Sequence, residues 1–207
     1  MRKLLSVFSL AVLVALSPVS LASWQAASEP VDQTSAEMIS VLGDGGLSAG
    51  DDVTPLMAEI ERLLVPVVDF DYIAKRVMGK YYRKASAEQR TEFAGVFKNT
   101  LIRTYAKALV GFEITGYELL PEGRPSPKPN KQIVSVKVRS GGSATYKLDY
   151  YMLEQPEGWK LVNVHLDGIN LRLNFKNQFA SLVKKNRGDV GGVIANWKAQ
   201  VETDVSK

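Results

Sequence analysis

The sequence contains no cysteine and a single histidine, His165, among its 207 residues. The absence of thiols excludes disulfide bonds, thiol catalysis and thiolate metal sites. Zinc sites in proteins are built mainly from cysteine and histidine, so this composition also argues against zinc. If the protein folds in an oxidising compartment, its hydrophobic core alone must stabilise it.

Long apolar runs are absent after the N-terminus. Two cations precede an uncharged run, Leu4 to Leu16, which is followed by Pro18 and a small-residue site that ends at Ala22. This pattern is typical of a secretory signal peptide with cleavage after Ala22. A membrane anchor is the alternative, but a span requires about 20 apolar residues and Pro18 ends this run early. We therefore predict a signal peptide at 1–22 and a single soluble α+β domain at 23–207.

A large excess of charge of one sign is also absent. The sequence has 26 Lys and Arg against 22 Asp and Glu, but Arg2 and Lys3 fall in the predicted signal peptide. The remaining 24 cations and 22 anions leave a net charge of only +2. Nucleic-acid-binding domains usually carry a strong basic excess, so we expect no nucleic-acid partner.

The first half of the chain predicts helices. Apolar residues recur at helical spacing in 31–42, 53–64 and 70–78, after a polar tail at 23–30. Ser86 and Gln89 have the spacing of a capping box, which predicts the start of a longer helix. The apolar stripe of that helix comprises Phe93, Val96, Phe97, Leu101, Tyr105, Ala108, Leu109 and Phe112.

After Gly111 the apolar period changes from 3.6 residues to two, which predicts strands. The four predicted strands cover 113–120, 132–139, 145–153 and 160–166, and two more helices follow at 170–185 and 190–201. This order indicates an α+β fold in which helices cover one face of an antiparallel four-stranded meander. The predicted division is helical at 31–112, sheet at 113–166 and helical at 169–203.

Alternation along the strands also predicts their register. Val136 should pair with Leu148 or Tyr146, because only an odd-length loop brings the apolar faces of these two strands together. The next hairpin is predicted to have a three-residue loop at 156–158. Its register pairs Met152 with Val162, Tyr150 with Val164 and Leu148 with Leu166.

This register places the histidine on the outer, polar face. His165 pairs there with Asp149, and Lys147 lies opposite Asp167, so the cross-strand charges are complementary. A general base needs a cleft and a nucleophile within hydrogen-bond reach. We therefore predict that His165 is an exposed, paired residue and not a catalytic one.

The inward apolar face allows two interpretations. The helix stripes and the sheet can form an ordinary packed core, or the two layers can be held apart around an apolar ligand. Sequence pattern does not decide between them. Tyr105, Tyr146 and Tyr150 slightly favour a gap, because a buried tyrosine needs a hydrogen-bond partner or an opening to water.

Two segments of the chain resemble a known family. Residues 69–109 include the motifs GKYYRKAS and TYA, and residues 158–179 include GWK and the run DGINL into a helix. Together these segments resemble the MlaC-type periplasmic phospholipid-binding proteins, also labelled toluene-tolerance auxiliary proteins. The sequence departs from the family's usual pattern at five positions: Val162, Asn163, Asp167, Phe175 and Lys176.

The resemblance implies an NTF2-like domain that carries glycerophospholipid in the periplasm of a Gram-negative bacterium. It implies transfer between an outer-membrane lipoprotein–porin complex and an inner-membrane ABC transporter complex, which maintains the lipid asymmetry of the outer membrane. It also implies that the protein needs no cofactor or metal and is not an enzyme. We expect a monomer.

Acyl chains in such a carrier would lie against the apolar stripes and the inner face of the sheet. Each methylene removed from water contributes about 0.8 kcal/mol, so the chains must be almost completely buried. The predicted lipid-binding residues are Phe97, Leu101, Tyr105, Leu109, Val136, Val138, Leu148, Tyr150, Met152, Val162, Val164, Leu171, Phe175 and Phe179.

Two other classes of function remain open at the level of sequence. An NTF2-like enzyme on a hydrophobic substrate would need a carboxylate or a histidine that points into the gap. A protein-binding envelope factor without a ligand would have a filled core. The arrangement of the layers distinguishes these alternatives.

Overall fold

The structure is a computed structural model and describes residues 19–45, 53–111, 114–141 and 144–205. These ranges contain six α-helices, a short 3-10 turn and one antiparallel sheet. The helices are α1 (Val19–Gly45), α2 (Thr54–Leu64), α3 (Phe70–Met78), α4 (Ala87–Gly111), α5 (Leu171–Lys185) and α6 (Val190–Val205). The strands are β1 (Ile114–Leu119), β2 (Lys131–Ser140), β3 (Thr145–Gln155), β4 (Gly158–Leu166) and β5 (Ile169–Asn170).

The predicted α+β meander is confirmed, with one strand more than expected. The strands lie in the order β1-β2-β3-β4-β5, and each neighbouring pair is antiparallel. The additional strand β5 forms because Asp167 and Gly168, both with positive φ, turn the chain back beside β4. Each helix within the described ranges is too short or too polar to cross a membrane.

Side-chain caps explain where α3 and α4 begin. Asp69 Oδ1 accepts a hydrogen bond from the Tyr72 amide at 2.8 Å and caps α3. The predicted capping box is confirmed, because the Gln89 amide donates to Ser86 Oγ at 3.2 Å and the Ser86 amide donates to Gln89 Oε1 at 3.0 Å. These bonds satisfy amides that have no partner within the helix.

The prediction of a polar tail at 23–30 is wrong. This segment belongs to α1, whose buried residues Ala27 and Val31 pack against the sheet. Pro30 lies inside this helix. It argued against a helix in the sequence, because proline removes a backbone hydrogen bond and usually ends a helix. Burial of the apolar face against the sheet outweighs that cost.

The predicted signal peptide, 1–22, overlaps the start of this helix. Residues 1–18 lie outside the described residues, and 19–22 form the first turn of α1. Phe112, the last residue of the predicted α4 stripe, also lies outside the described ranges.

The register of β2 with β3 is confirmed, since Val136 pairs with Leu148. Between β3 and β4 the pairs Tyr150–Val164 and Leu148–Leu166 are also confirmed. The predicted pair of Met152 with Val162 is wrong, because Met152 pairs with Leu161.

A β-bulge explains this difference. The hairpin has a two-residue turn, with Gln155 opposite Gly158, and not the predicted three-residue loop. That turn alone would put the apolar residues of β3 and β4 on opposite faces. The extra residue of β4 at the Tyr151/Met152 step restores the match, so that Tyr150 still lies opposite Val164.

Four fully buried aromatic side chains lie at the centre of the helical layer. We call Phe93, Phe97, Phe179 and Trp197 the aromatic cluster. Ring centroids are 4.8 Å apart for Phe93–Phe179, 5.4 Å for Phe93–Trp197 and 5.7 Å for Phe179–Trp197. These edge-to-face and tilted contacts join α4, α5 and α6. Trp197, the member of the cluster on α6, was not among the apolar residues singled out from the sequence.

The helices differ in whether they pack mainly on other helices or on the sheet. The main partners of α4 are α2, α3 and α6, whereas the helices that pack on the sheet are mainly α1, α3 and α5. The long helix α4 therefore does not lie directly on the sheet that its apolar stripe faces.

We expect Trp197→Ala to lower the free energy of unfolding by about 3 kcal/mol, because it leaves a cavity among three aromatic rings. This loss should lie at the low end of the range for replacing a buried tryptophan by alanine. The reason is that the buried Trp197 Nε1 has no hydrogen-bond partner among the described residues, so the substitution breaks no hydrogen bond there. Urea denaturation measures this change. Leu173→Ala, at a side chain that is 47% exposed, is the control and should change stability by less than about 0.5 kcal/mol.

Candidate functional site

The apolar stripe of α4 becomes less buried toward the end of the helix. Phe93 and Phe97 are fully buried in the aromatic cluster, and Leu101 is 9% exposed. Tyr105 and Leu109, the next two residues at four-residue spacing, are only half-buried. The side chains of the stripe are therefore more accessible over the last two turns of α4 than over the earlier turns.

The stripe of α5 shows the same change in the opposite chain direction. Phe179 is fully buried, whereas Phe175 and Leu171, nearer the start of the helix, are half-buried. Phe175 still contacts Phe97 edge-to-face, with 5.5 Å between ring centroids. The aromatic cluster thus marks the closed end of both stripes.

The strands repeat this gradient on the inner face of the sheet. Buried residues at one end give way to half-buried residues at the other: Val136 to Val138 on β2, Met152 to Tyr150 and Leu148 on β3, and Val162 to Val164 on β4. The register shows that β2, β3 and β4 each become less buried toward the same end of the sheet. On β2 the change comes later, because Tyr150 lies opposite Val134 and Leu148 opposite Val136, and both valines are fully buried.

The inward side chains of α4, α5, β2, β3 and β4 therefore all become more accessible toward the same end of the molecule. We call the space between the last turns of α4, the first turns of α5 and the half-buried end of the sheet the gap. Three separate clusters of buried residues surround it, whereas a domain of this size usually has one contiguous core. Side chains are fully buried at the closed end and keep accessible surface at the open end.

Tyr105 and Tyr150 have an environment that fits the wall of such a gap. Burial raises the pKa of Tyr105 to about 12, and burial together with the nearby Tyr105 raises the pKa of Tyr150 to about 12. Both nevertheless keep part of their surface accessible. Neither hydroxyl has a hydrogen-bond partner within the described part of the chain. A ring deep in the fold with accessible surface and an unpaired hydroxyl faces an internal space.

The structure divides the residues predicted to bind lipid into two sets. One set is buried in the packed clusters or beside them and consists of Phe97, Leu101, Val136, Met152, Val162 and Phe179. The other set is half-buried around the gap and consists of Tyr105, Leu109, Val138, Leu148, Tyr150, Val164, Leu171 and Phe175. Only the second set has accessible surface to offer to a ligand.

Helix α1 contributes to the gap, although none of its residues was predicted to bind lipid. Its residue Val31 packs on the sheet, and its residues Met38 and Leu42 pack in the cluster that contains Leu109 of α4. The helix therefore connects the two layers and closes one side of the gap. It is fastened to the edge strand β1 by the Tyr117 hydroxyl, which donates to Asp32 Oδ1 at 2.8 Å. The apolar residues of α1 recur at helical spacing on both sides of Pro30, and this pattern was the available signal.

The carboxylate of Asp149 and the imidazole of His165 lie on the outer face of the sheet. His165 pairs with Asp149, as predicted, and its Nδ1 lies 3.2 Å from the Tyr151 hydroxyl. Burial opposes ionisation of Asp149, but the hydrogen bond from Ser135 and the charge of Lys147 outweigh it and lower the pKa of this carboxyl. Within the described residues, no group of three or more acidic, histidine or cysteine side chains is placed to hold a metal ion.

An apolar gap with two unpaired phenols can bind an apolar chain, and comparison with known proteins agrees with this geometry. A family profile described as MlaC protein matches residues 32–199. The chain belongs to the MlaC protein family. The matched region contains α2 to α5, all five strands and most of α1 and α6.

Two relatives with curated names share parts of this MlaC-family sequence. The toluene tolerance protein ttg2D of Pseudomonas putida is 31% identical over 193 residues, which cover 93% of this chain and 89% of the relative. The intermembrane phospholipid transport system binding protein MlaC of Haemophilus influenzae is 39% identical over 49 residues. That second match is local and covers 24% of this chain and 23% of the relative.

A solved structure is similar over most of the MlaC-family chain. It is a phospholipid-binding protein of Ralstonia solanacearum in complex with a phospholipid, with a TM-score of 0.74 and 27% sequence identity. The alignment covers 87% of this chain and 99% of the Ralstonia protein. The helical layer, the meander and their connection are therefore shared.

The two phenols of the gap lead to a testable dependence of stability on pH. Tyr105 and Tyr150 hold their protons more tightly when folded, with pKa values of about 12 against about 10 for an unfolded tyrosine. Below pH 10 both states are protonated and this contribution is fully present; it is lost as the pH rises from about 10 to 12. Unfolding free energies measured across this window should fall. The loss should be smaller in the double variant Tyr105→Phe, Tyr150→Phe, and an equal loss would contradict the assignment.

Proposed function

We propose that this protein is a phospholipid carrier and that the acyl chains of its cargo occupy the gap. The observation that carries this proposal is the shared burial gradient of α4, α5, β2, β3 and β4, which leaves an apolar space open at one end. Membership of the MlaC family and the similarity to a protein solved with a phospholipid support the same cargo.

The chemistry of the gap suits acyl chains. Its half-buried side chains are valine, leucine, phenylalanine and tyrosine, and each methylene that they remove from water contributes about 0.8 kcal/mol. The lipid enters with its chains toward the aromatic cluster. Its polar headgroup stays at the open end, where water can solvate it, and this allows several headgroups to be carried.

The residues fall into two roles under this proposal. The half-buried set around the gap, with Leu148 and Val164 on the sheet and Leu109 and Leu171 on the helices, contacts the acyl chains. The buried set, with Phe97 and Phe179, holds the walls in place. Binding makes and breaks no covalent bond, and the position of Asp149 and His165 on the outer face supports a role without catalysis.

The cellular role extends this proposal. We infer that the protein is a periplasmic monomer that moves glycerophospholipid between an outer-membrane lipoprotein–porin complex and an inner-membrane ABC transporter complex. The name of the Haemophilus relative, an intermembrane phospholipid transport system binding protein, supports this assignment. The signal-peptide pattern of residues 1–22 supports the compartment.

A bulky substitution inside the gap tests the binding site. Leu148→Trp should lower phospholipid occupancy several-fold, because the indole takes space that the chains need, while the fold is kept. Native mass spectrometry of the protein purified from cells measures occupancy. Ile133→Trp is the matched control, since Ile133 lies on the outer face of the adjacent strand and is 46% exposed. Protein that carries no lipid and gains none from phospholipid vesicles would overturn the carrier function.

The predicted signal peptide gives a separate test of the compartment. Expression of the full chain in a Gram-negative host should yield periplasmic protein whose N-terminal residue is Ser23. Osmotic-shock fractionation followed by intact-mass measurement checks both points. A substitution of Ala22→Arg at the cleavage site should leave uncleaved precursor, and full-length protein in the cytoplasm of the wild type would contradict the prediction.

A further inference from the structure

Tyr105 and Tyr150 stand at the boundary between the closed and open parts of the molecule. On α4, Tyr105 is the first half-buried stripe residue after the buried Leu101. On β3, Tyr150 is the first half-buried inward residue after Met152, which is 2% exposed. The change from packed core to gap therefore occurs at a tyrosine on both layers.

The two rings belong to opposite walls. Tyr105 packs against the buried cluster of the helical layer, and Tyr150 packs against the buried cluster of the sheet and α1. They are close enough for the charge of one to act on the other. Phe175, which is also half-buried, contacts Phe97 of the aromatic cluster. Aromatic side chains from both layers thus lie where the burial of the walls changes.

We propose that the Tyr105–Tyr150 pair is the floor of the gap and sets the length of acyl chain that the protein can bury. This inference rests on the proposed function, because it assumes that acyl chains enter the gap from its open end. The bulk of the two rings is the limiting feature, and chains that exceed the depth above them must leave methylenes in water.

The depth above the floor follows from the geometry of the elements. Five residues of β3 separate Tyr150 from the start of the strand at Thr145, which corresponds to roughly 16 Å at the usual rise of a strand. Six residues of α4 separate Tyr105 from the helix end at Gly111, which corresponds to roughly 9 Å. The gap is therefore deep enough for a large part of an acyl chain, and its depth is finite.

The rule for methylene burial gives the expected binding profile. Each additional methylene buried in the gap should strengthen binding by about 4-fold. This gain should stop when the chain end reaches the two rings, so that affinity plotted against chain length rises and then reaches a plateau. Removal of ring volume at the floor should move the start of the plateau to longer chains.

The experiment uses the mature protein stripped of lipid and a series of phosphatidylglycerols with two identical saturated chains, from dodecanoyl to octadecanoyl. Competition measured by native mass spectrometry gives relative affinities across the series. Tyr105→Ala and Tyr150→Ala should each move the plateau by at least one two-carbon step. Tyr105→Phe and Tyr150→Phe keep the ring volume and should keep the wild-type profile. Where an alanine variant does not fold, the leucine variant at the same position replaces it.

A control at the open end separates depth from general loss of contact. Leu109→Ala lies on the same stripe of α4, one turn nearer the rim, and should weaken binding of all chain lengths alike. An unshifted plateau in folded alanine or leucine variants would overturn the proposal. A plateau that shifts equally in the phenylalanine variants would also overturn it, because the hydroxyls and not the ring volume would then set the length.

The same series distinguishes failure of this inference from failure of the carrier function. A wild-type protein that binds these lipids with no plateau across the series contradicts the tyrosine floor and leaves the carrier function intact. A wild-type protein that binds none of them contradicts the carrier function itself.

Discussion

Four aromatic side chains hold α4 at one end, and the shape of the rest of the molecule depends on that contact. Phe93 and Phe97 pack against Phe179 of α5 and Trp197 of α6, with ring centroids about 5 to 6 Å apart. The closed end is therefore a core in which all four aromatic side chains are fully buried. Nothing comparable joins the last turns of α4 to the sheet among the described residues. The two layers consequently stay together at one end and apart at the other.

The gap is the functional consequence of this arrangement. For the proposed lipid carrier, an apolar space must stay open when it is empty, although closure would bury more surface. Here the sheet is braced by α1 on one side and by α3 and α5 on the other, so that closure is opposed by elements packed elsewhere. On the outer face of the sheet Asp149 lies opposite His165 of β4 and forms an ion pair with Lys147 of its own strand at 3.0 Å. The polar and apolar chemistry of one sheet is thus separated by strand alternation alone.

Particular elements show how far sequence reasoning reaches. The helix cap at Ser86 depends on short-range hydrogen bonds, and the register of β2 with β3 depends on strand alternation. The sequence predicts both correctly. The β3–β4 hairpin was only partly predictable. Its two-residue turn and its bulge cancel each other, so the pairs near Tyr150 came out right although the loop length was wrong.

The sequence by itself determined the α+β class, the inner and outer faces of the strands and the apolar stripes of α4 and α5. These features depend on periodicity, which each segment carries locally. Only the tertiary structure decided that α1 crosses Pro30 to close the gap, that Trp197 completes the aromatic cluster, and which apolar residues stay accessible. Leu148 and Val136 have the same pattern in sequence, yet one faces the gap and the other is fully buried under α1. The physical reason is that an apolar side chain is buried or exposed according to what the distant parts of the chain place above it.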